Sequence, residues 1–505
     1  MKFLAILLFV AACGAEPQVE TIDAHGIAEI SARLPRAPGE FAPSLVAIDS
    51  HVARRPSDPT IGNQLADVDS CATCHADAAA QWGASAHSFA SFGNPLYRQS
   101  VELARTQMGK HTSQHCAGCH DMPLMTDGLM TNEAAIPAQD LRAHSGVTCS
   151  LCHGVKSVTK DGNGSYVWSR EPIDAPVMSD PSSIARHKAQ VSVKALGTEI
   201  CVGCHRGFLS PDMGDTNMPV HLVGLDEPGM WRNSAWAGNG MGRVDKVEPK
   251  NCIDCHMERE PASANEAGAK NGTFASHRFL GGNTWMAAMR GDADHLARLQ
   301  SKLEGAASID IAGGTFLVSG DDKSHVKQWA LPVDGMPVTA NTRIDLDVVI
   351  RNLLVGHRFP GGVLDIQDTW IEVELADRDG ARIGQSGLAH EKDKNDQDSH
   401  VLRTLVVDEH GEVLEQHEMA KMRTQIATQT LAAREAQVIR YAFDVPANVK
   451  LPLTVTARMR HRSRSLVMQE EVCRVARTTE GKQFIAGAKG ARSVVIDPCM
   501  PQPIT

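Results

Sequence analysis

Five short segments repeat one arrangement: Cys71-Ala72-Thr73-Cys74-His75, Cys116-Ala117-Gly118-Cys119-His120, Cys149-Ser150-Leu151-Cys152-His153, Cys201-Val202-Gly203-Cys204-His205 and Cys252-Ile253-Asp254-Cys255-His256. Two cysteines separated by two residues present both thiols from a single turn. A histidine directly after the second cysteine places an imidazole beneath whatever the thiols hold. That is the attachment chemistry of c-type haem, with thioethers to the two vinyl groups and histidine on iron. Chance would give roughly 0.02 such motifs in a chain of this length, so five imply five covalently bound haem c groups. Zinc is the competing reading, because a CxxC pair can supply half of a thiolate site. Zinc does not require histidine at that position, yet every pair here has it. Thioredoxin-type dithiols usually occur singly at a strand–helix junction.

A low-spin electron-transfer haem needs a sixth ligand, and histidine there gives a low potential. His75, His120, His153, His205 and His256 are the proximal set. Further histidines at 87, 111, 115, 144, 187, 221 and 277 are numerous enough to close all five irons. Context selects His87 in WGASAH, His187 in a polar helical stretch, His277 in SHRFLGG, His144 in AHSGVTCSLCH, and one of His111 and His115, with His115 preferred. His221, Met213 and Met218 are weaker alternatives. A lone histidine is as often a surface or core residue as a ligand, and chain order does not pair these side chains with particular irons.

The chain begins MKFLAILLFVAAC. A basic residue followed by an apolar run too short to span a bilayer reads as an export signal. Val10-Ala11-Ala12-Cys13 resembles a bacterial lipobox, in which the cysteine becomes the lipidated first residue. Ordinary signal cleavage beside an incidental cysteine is the bland alternative. No other segment reaches transmembrane length, so the expectation is an exported lipoprotein, facing the periplasm or the cell surface and anchored in the outer membrane through Cys13. Of 13 cysteines, ten belong to the motifs and one to the lipobox. Cys473 and Cys499 are left, either as free buried thiols or as a disulfide pinning the tail. The net charge of −10 argues against nucleic-acid binding and suits exported redox proteins as donor and acceptor, although solubility alone explains it equally well.

These groups must be positioned by elements of two kinds. Residues 1–12 read as signal and 13–65 as a tether with one short helix near Gly26 to Leu34. Residues 66–300 carry all five motifs, with many Gly, Asn and Pro and few long apolar runs. A mainly α and irregular domain is expected there, in which porphyrins supply the buried surface. Trp285 to Leu303 reads as one helix. Residues 301–505 change to strand-like runs, at Thr342 to Ile350, Thr369 to Leu375, Val438 to Phe443 and Leu453 to Met459, with turns at Asp379-Gly380 and Glu409-His410-Gly411. An all-β, immunoglobulin-like sandwich follows, and a barrel satisfies the same pattern.

Taken together, Trp82…Ser85-Ala86-His87, Gly146-Val147 before CSLCHG, Trp231…Ser234-Ala235-Trp236 before CIDCHM, and His277-Arg278-Phe279 with Gly281-Gly282 resemble the multihaem cytochromes typified by cytochrome c-554. That group extends to pentahaem nitrite reductase and hydroxylamine oxidoreductase. The resemblance covers roughly residues 68 to 285 and implies haems packed in stacked and perpendicular pairs. Two departures matter. Every motif here ends in histidine, whereas pentahaem nitrite reductases use a lysine at the substrate haem. Tyr97, Tyr166 and Tyr441 stand in no context resembling the tyrosine cross-link of hydroxylamine oxidoreductase. Asn352 to Gly362 (NLLVGHRFPGG) resembles a segment that opens a β-domain in many multihaem lipoproteins. His357 within it reads either as a ligand crossing between domains, as a substrate-side acid, or as a hydrogen-bonded turn residue.

The function expected is electron transfer between redox partners by outer-sphere movement along the haems, with no catalytic side chain. The alternative is an oxidoreductase acting on a small nitrogen or sulfur oxyanion at one haem with an open axial position, where Arg142, Arg232 and Arg278 could line an anion site. An interaction role for the β-domain is compatible with the first reading.

Overall fold

Backbone preference and burial place each motif on a short helix. The computed structural model describes residues 41, 43–49, 60–131, 135–169, 171–191, 196–209, 222–243, 246–317, 326–330, 335–363 and 365–505. The expected tether helix, Cys13, Met213, Met218 and His221 lie outside them. The motifs fall on or at the ends of Asp69–Ala72, Gln114–His120, Cys149–His153, Thr198–Cys204 and Cys252–His256. Two of these five starts are capped by side chains. Thr148 accepts from the Leu151 N–H, and Asn251 with Asp254 forms a reciprocal capping box. Longer helices, Ala76–Ala84, Pro95–Met108 and Pro181–Val191, frame them.

The helix expected over Trp285 to Leu303 is two helices, Thr284–Met289 and Ala293–Leu303. Gly291 has φ 66° between them, and Asp292 caps the second by accepting from the His295 N–H. A left-handed glycine followed by a capping aspartate ends one helix and starts another.

Beyond residue 301 the expected strands form, as Thr342–Asn352, Asp368–Ala376, Ala436–Val445 and Thr454–Arg462. The first sheet runs Ala436–Val445, Thr342–Asn352, Ala307–Leu317, Val326–Ala330, all antiparallel. In the second, Asp368–Ala376 pairs with Thr454–Arg462 in register Ile371 to Met459, and also with Arg382–Ser386 and His400–Val401. Alternation explains the packing. Ile344, Leu346, Val348 and Ile350 of one sheet share a core with Ile371, Val373 and Leu375 of the other. Gly380 (φ 81°) and Gly411 (φ 83°) sit at the two anticipated turns.

The segment is not all-β, which corrects the expectation. Leu466–Ala476 and Thr479–Arg492 are helices, and they pack on the motif-bearing region. Phe484 enters the same core as Phe92, Leu65, Met125 and Trp168. Arg492 donates to the carbonyls of Ala66 and His144. Cys473 and Cys499 are joined by a disulfide. Ala37–Thr505 form one compact unit. Among the described residues, no helix is long and apolar enough to cross a membrane.

Candidate haem-binding site

The ten motif cysteines are half-buried free thiols, as an attachment edge requires. Thiols of different motifs face one another. Cys71 lies against Cys149, Cys204 against Cys119, and Cys252 against Cys201. Burial pushes the Cys152 thiol up to about 12, and Cys204 beside it adds to this. The motifs are therefore joined through their thiols in two groups, the first with the third and the fourth with both the second and the fifth, and Cys152 of the third lies within electrostatic reach of Cys204 of the fourth.

Three histidine pairs stand at one spacing. The ring centroids of His75 and His187 are 6.4 Å apart, those of His87 and His205 6.2 Å, and those of His256 and His357 6.3 Å. Two metal–nitrogen bonds of about 2 Å in line, plus the half-width of each imidazole, put ring centres roughly 6 Å apart. The residues present thus fit an iron held between each pair.

The free ring nitrogens point the same way. His75 Nδ1 is 2.8 Å from Glu266 Oε1, His120 Nδ1 2.9 Å from the Ala90 carbonyl, and His256 Nδ1 2.7 Å from the Leu280 carbonyl. His187 and His277 bond the carbonyls of Asp174 and Ala275 in the same way, at 2.8 and 2.9 Å. A carbonyl partner fixes the proton on Nδ1 and leaves the Nε2 lone pair for a metal. Among the described residues no three His, Cys, Asp or Glu converge as a zinc site would require.

Of the anticipated sixth ligands, His187 faces His75 and His87 faces His205. Burial pushes His87 down to about 3, and His205, His120, His256 and His277 around it push in the same direction. His277 neighbours His153, whose imidazole is pushed down by burial first and then by His277.

His144 stands elsewhere. Its Nε2 is 2.8 Å from the Ala138 carbonyl, its Nδ1 faces the Cα of Gly93, and its ring packs on Phe484. Its Nε2 is thus taken, its Nδ1 is buried without a hydrogen-bond partner among the described residues, and it belongs to none of the three histidine pairs. His111 Nδ1 bonds Gln114 Nε2 at 3.1 Å. His115 is half-buried, with a buried Nδ1 unpartnered among the described residues, and its histidine neighbours are His417 and His120. Tyr97 stacks on His120 at 4.4 Å and 17°.

Two participants carried no motif. Glu266 was invisible as the His75 partner because 191 residues separate them. His417 sits in an unremarkable polar stretch, yet it is half-buried and its Nδ1 lies 3.0 Å from Asp365. Of the arginines considered for an anion site, Arg142 is already paired with Asp127 and Asp140 at 2.6 and 2.5 Å, and Arg278 with Glu260 at 3.3 Å. Arg232 is exposed.

Residues 70–154 match the family model described as cytochrome c554 and c-prime. This stretch is similar to a family of multihaem c-type cytochromes. A solved structure, a penta-haem cytochrome c552 from Thermochromatium tepidum, aligns over 81% of this chain and 94% of its own, with 16% identity and a TM-score of 0.49. No curated protein matches the chain.

Proposed function

We propose that this chain is an exported pentahaem c-type cytochrome that passes electrons between redox partners by outer-sphere transfer. The observation that carries the reading is the contact of thiols between motifs, Cys71 with Cys149, Cys119 with Cys204 and Cys201 with Cys252. Each thiol marks where a porphyrin edge would attach, so motifs in thiol contact hold neighbouring edges. In this reading the five cysteine pairs hold haem c, and His75, His120, His153, His205 and His256 are its proximal ligands. His187, His87 and His277 are distal ligands to the irons of His75, His205 and His153.

Haem c, when bound, supplies a one-electron iron couple whose potential follows its axial ligands, burial and nearby charge. The protein holds the rings of His75, His120 and His256 in one orientation through Nδ1. Cys13 carries lipid and anchors the chain at the outer membrane, a reading supported by Val10-Ala11-Ala12-Cys13. Residues 66–300 form the haem domain. Within residues 301–505, the strands between Ala307 and Arg462 form an immunoglobulin-like sandwich, supported by two antiparallel sheets over one core, and two helices follow it.

One observation favours a second reading, an oxidoreductase for a small nitrogen or sulfur oxyanion. Among the described residues no imidazole faces His120 or His153 at the separation seen in the three pairs, and Tyr97 is the ring packed on His120. Catalysis at iron needs an open position. Electron paramagnetic resonance of the oxidised, fully loaded chain decides between the two. Five low-spin signals are expected. A high-spin signal that changes on adding nitrite or hydroxylamine would overturn the carrier reading.

A further inference from the structure

We propose that His357 is the sixth ligand to the iron held by His256, so that the strand-rich segment completes a haem site instead of merely flanking it. This rests on the pentahaem reading above. The two rings lie 6.3 Å apart, centroid to centroid, with planes 15° from parallel. This is the spacing of the His75–His187 and His87–His205 pairs. The Nδ1 atoms of both rings are occupied by backbone carbonyls, Leu280 for His256 and Arg358 for His357 at 2.9 Å. Each imidazole therefore carries its proton on Nδ1 and keeps an Nε2 lone pair free.

The turn that presents His357 is fixed from several sides. Asn352 Nδ2 donates to the His357 carbonyl at 2.9 Å and also reaches the Leu431 carbonyl at 3.3 Å. Phe359 and Leu431 exchange backbone hydrogen bonds at 2.8 Å in both directions. Gly362 N–H donates to Glu227, on the helix Glu227–Arg232 that precedes the fifth motif. Glycine is required where the ring passes. A Cβ on Gly361 would stand 2.8 Å from His357 Nδ1, and one on Gly356 would stand 3.2 Å from Trp231. A histidine that only filled a turn would need neither this orientation nor an imidazole opposite. The bonded turn and the ligand are one device, in which the backbone bonds hold the ring at the axial position.

The test uses the full chain loaded with haem. In H357A, one of five haems becomes high-spin and added imidazole returns it to low-spin, while the other four are unchanged. In H357M, which keeps a ligand of similar reach, one of the five potentials rises, because methionine supports a higher potential than histidine. Unchanged spin states and potentials in both variants would overturn the assignment and leave His357 as a turn residue. If H357A fails to fold, H357M alone decides on the potential. Peptide mass spectrometry of the unsubstituted protein separates the two levels. Absence of haem on the Cys252–His256 peptide overturns the pentahaem reading itself, whereas haem there with unaltered variants overturns only the role of His357.

Discussion

Glu266 Oε1 lies 2.8 Å from His75 Nδ1, and the same carboxylate accepts from the Ala78 N–H at 3.1 Å. Burial alone would raise this carboxyl, but the hydrogen bonds from His75 and from the N–H groups of Gly268 and Ala78 hold it below its ordinary range. An ionised partner on Nδ1 makes the imidazole a stronger donor through Nε2, which favours the oxidised metal. Glu266→Gln should therefore raise one of the five potentials by about 60 mV, a tenfold change in electron affinity for a one-electron couple. A spectroelectrochemical titration reads this directly, and unchanged potentials would show that the carboxylate has no electronic influence.

Asp368 is buried between His390 Nε2, at 2.8 Å, and the Arg462 guanidinium, at 2.6 Å. Burial pushes its carboxyl up, but the His390 hydrogen bond and the Arg462 charge outweigh this and hold it below the ordinary value. The folded value is thus below the unfolded one. The stabilisation is complete above about pH 4 and is lost as pH falls through the lower folded value. Asp368→Asn leaves Arg462 buried without its countercharge and should cost about 3 kcal/mol or more at neutral pH. Denaturant melts at pH 7 and pH 3 should show a large difference between the two proteins at the first and a small one at the second.

Gly146 has φ 64°, and a Cβ there would run into the His87 carbonyl and the Ser88 backbone. Val147 N–H donates to that same His87 carbonyl at 2.8 Å. Gly146→Ala should cost roughly 2 kcal/mol from the left-handed backbone alone. It should also displace His87 from His205. Thermal melting and the low-spin fraction should fall together, while a stability loss with all spin states intact would separate the turn from the ligand.

The Cys473–Cys499 disulfide spans 26 residues of sequence. A loop of that length contributes about 3 kcal/mol in chain-entropy terms. Replacing both cysteines by alanine should lower stability by that order in a calorimetric scan, without altering haem content.

Much of this arrangement is legible in the sequence for definite reasons. The motifs state their own chemistry, and the alternating TRIDLDVVI run declares a strand with one buried face, which Ile344, Leu346 and Val348 occupy. His87 and His187 stand out through their contexts. Partnership is not legible, because His357 and His256 are a hundred residues apart and only the tertiary fold sets them face to face. His144 shows the reverse. Its position just before a motif suggests a ligand, but its ring packs on Phe484 and its Nε2 is taken by the Ala138 carbonyl. The C-terminal helices carry a readable signal in Met468, Val472 and Ala476 at four-residue spacing. The strands before them hide it, since a run of β-elements suggests that the pattern continues.

Phe484 lies 6.0 Å from Phe92 in a core otherwise built from residues before 170. That placement imposes a schedule on assembly. A ribosome delivers the motif-bearing half first, and Phe484 joins its core only once the helix Thr479–Arg492 has been made.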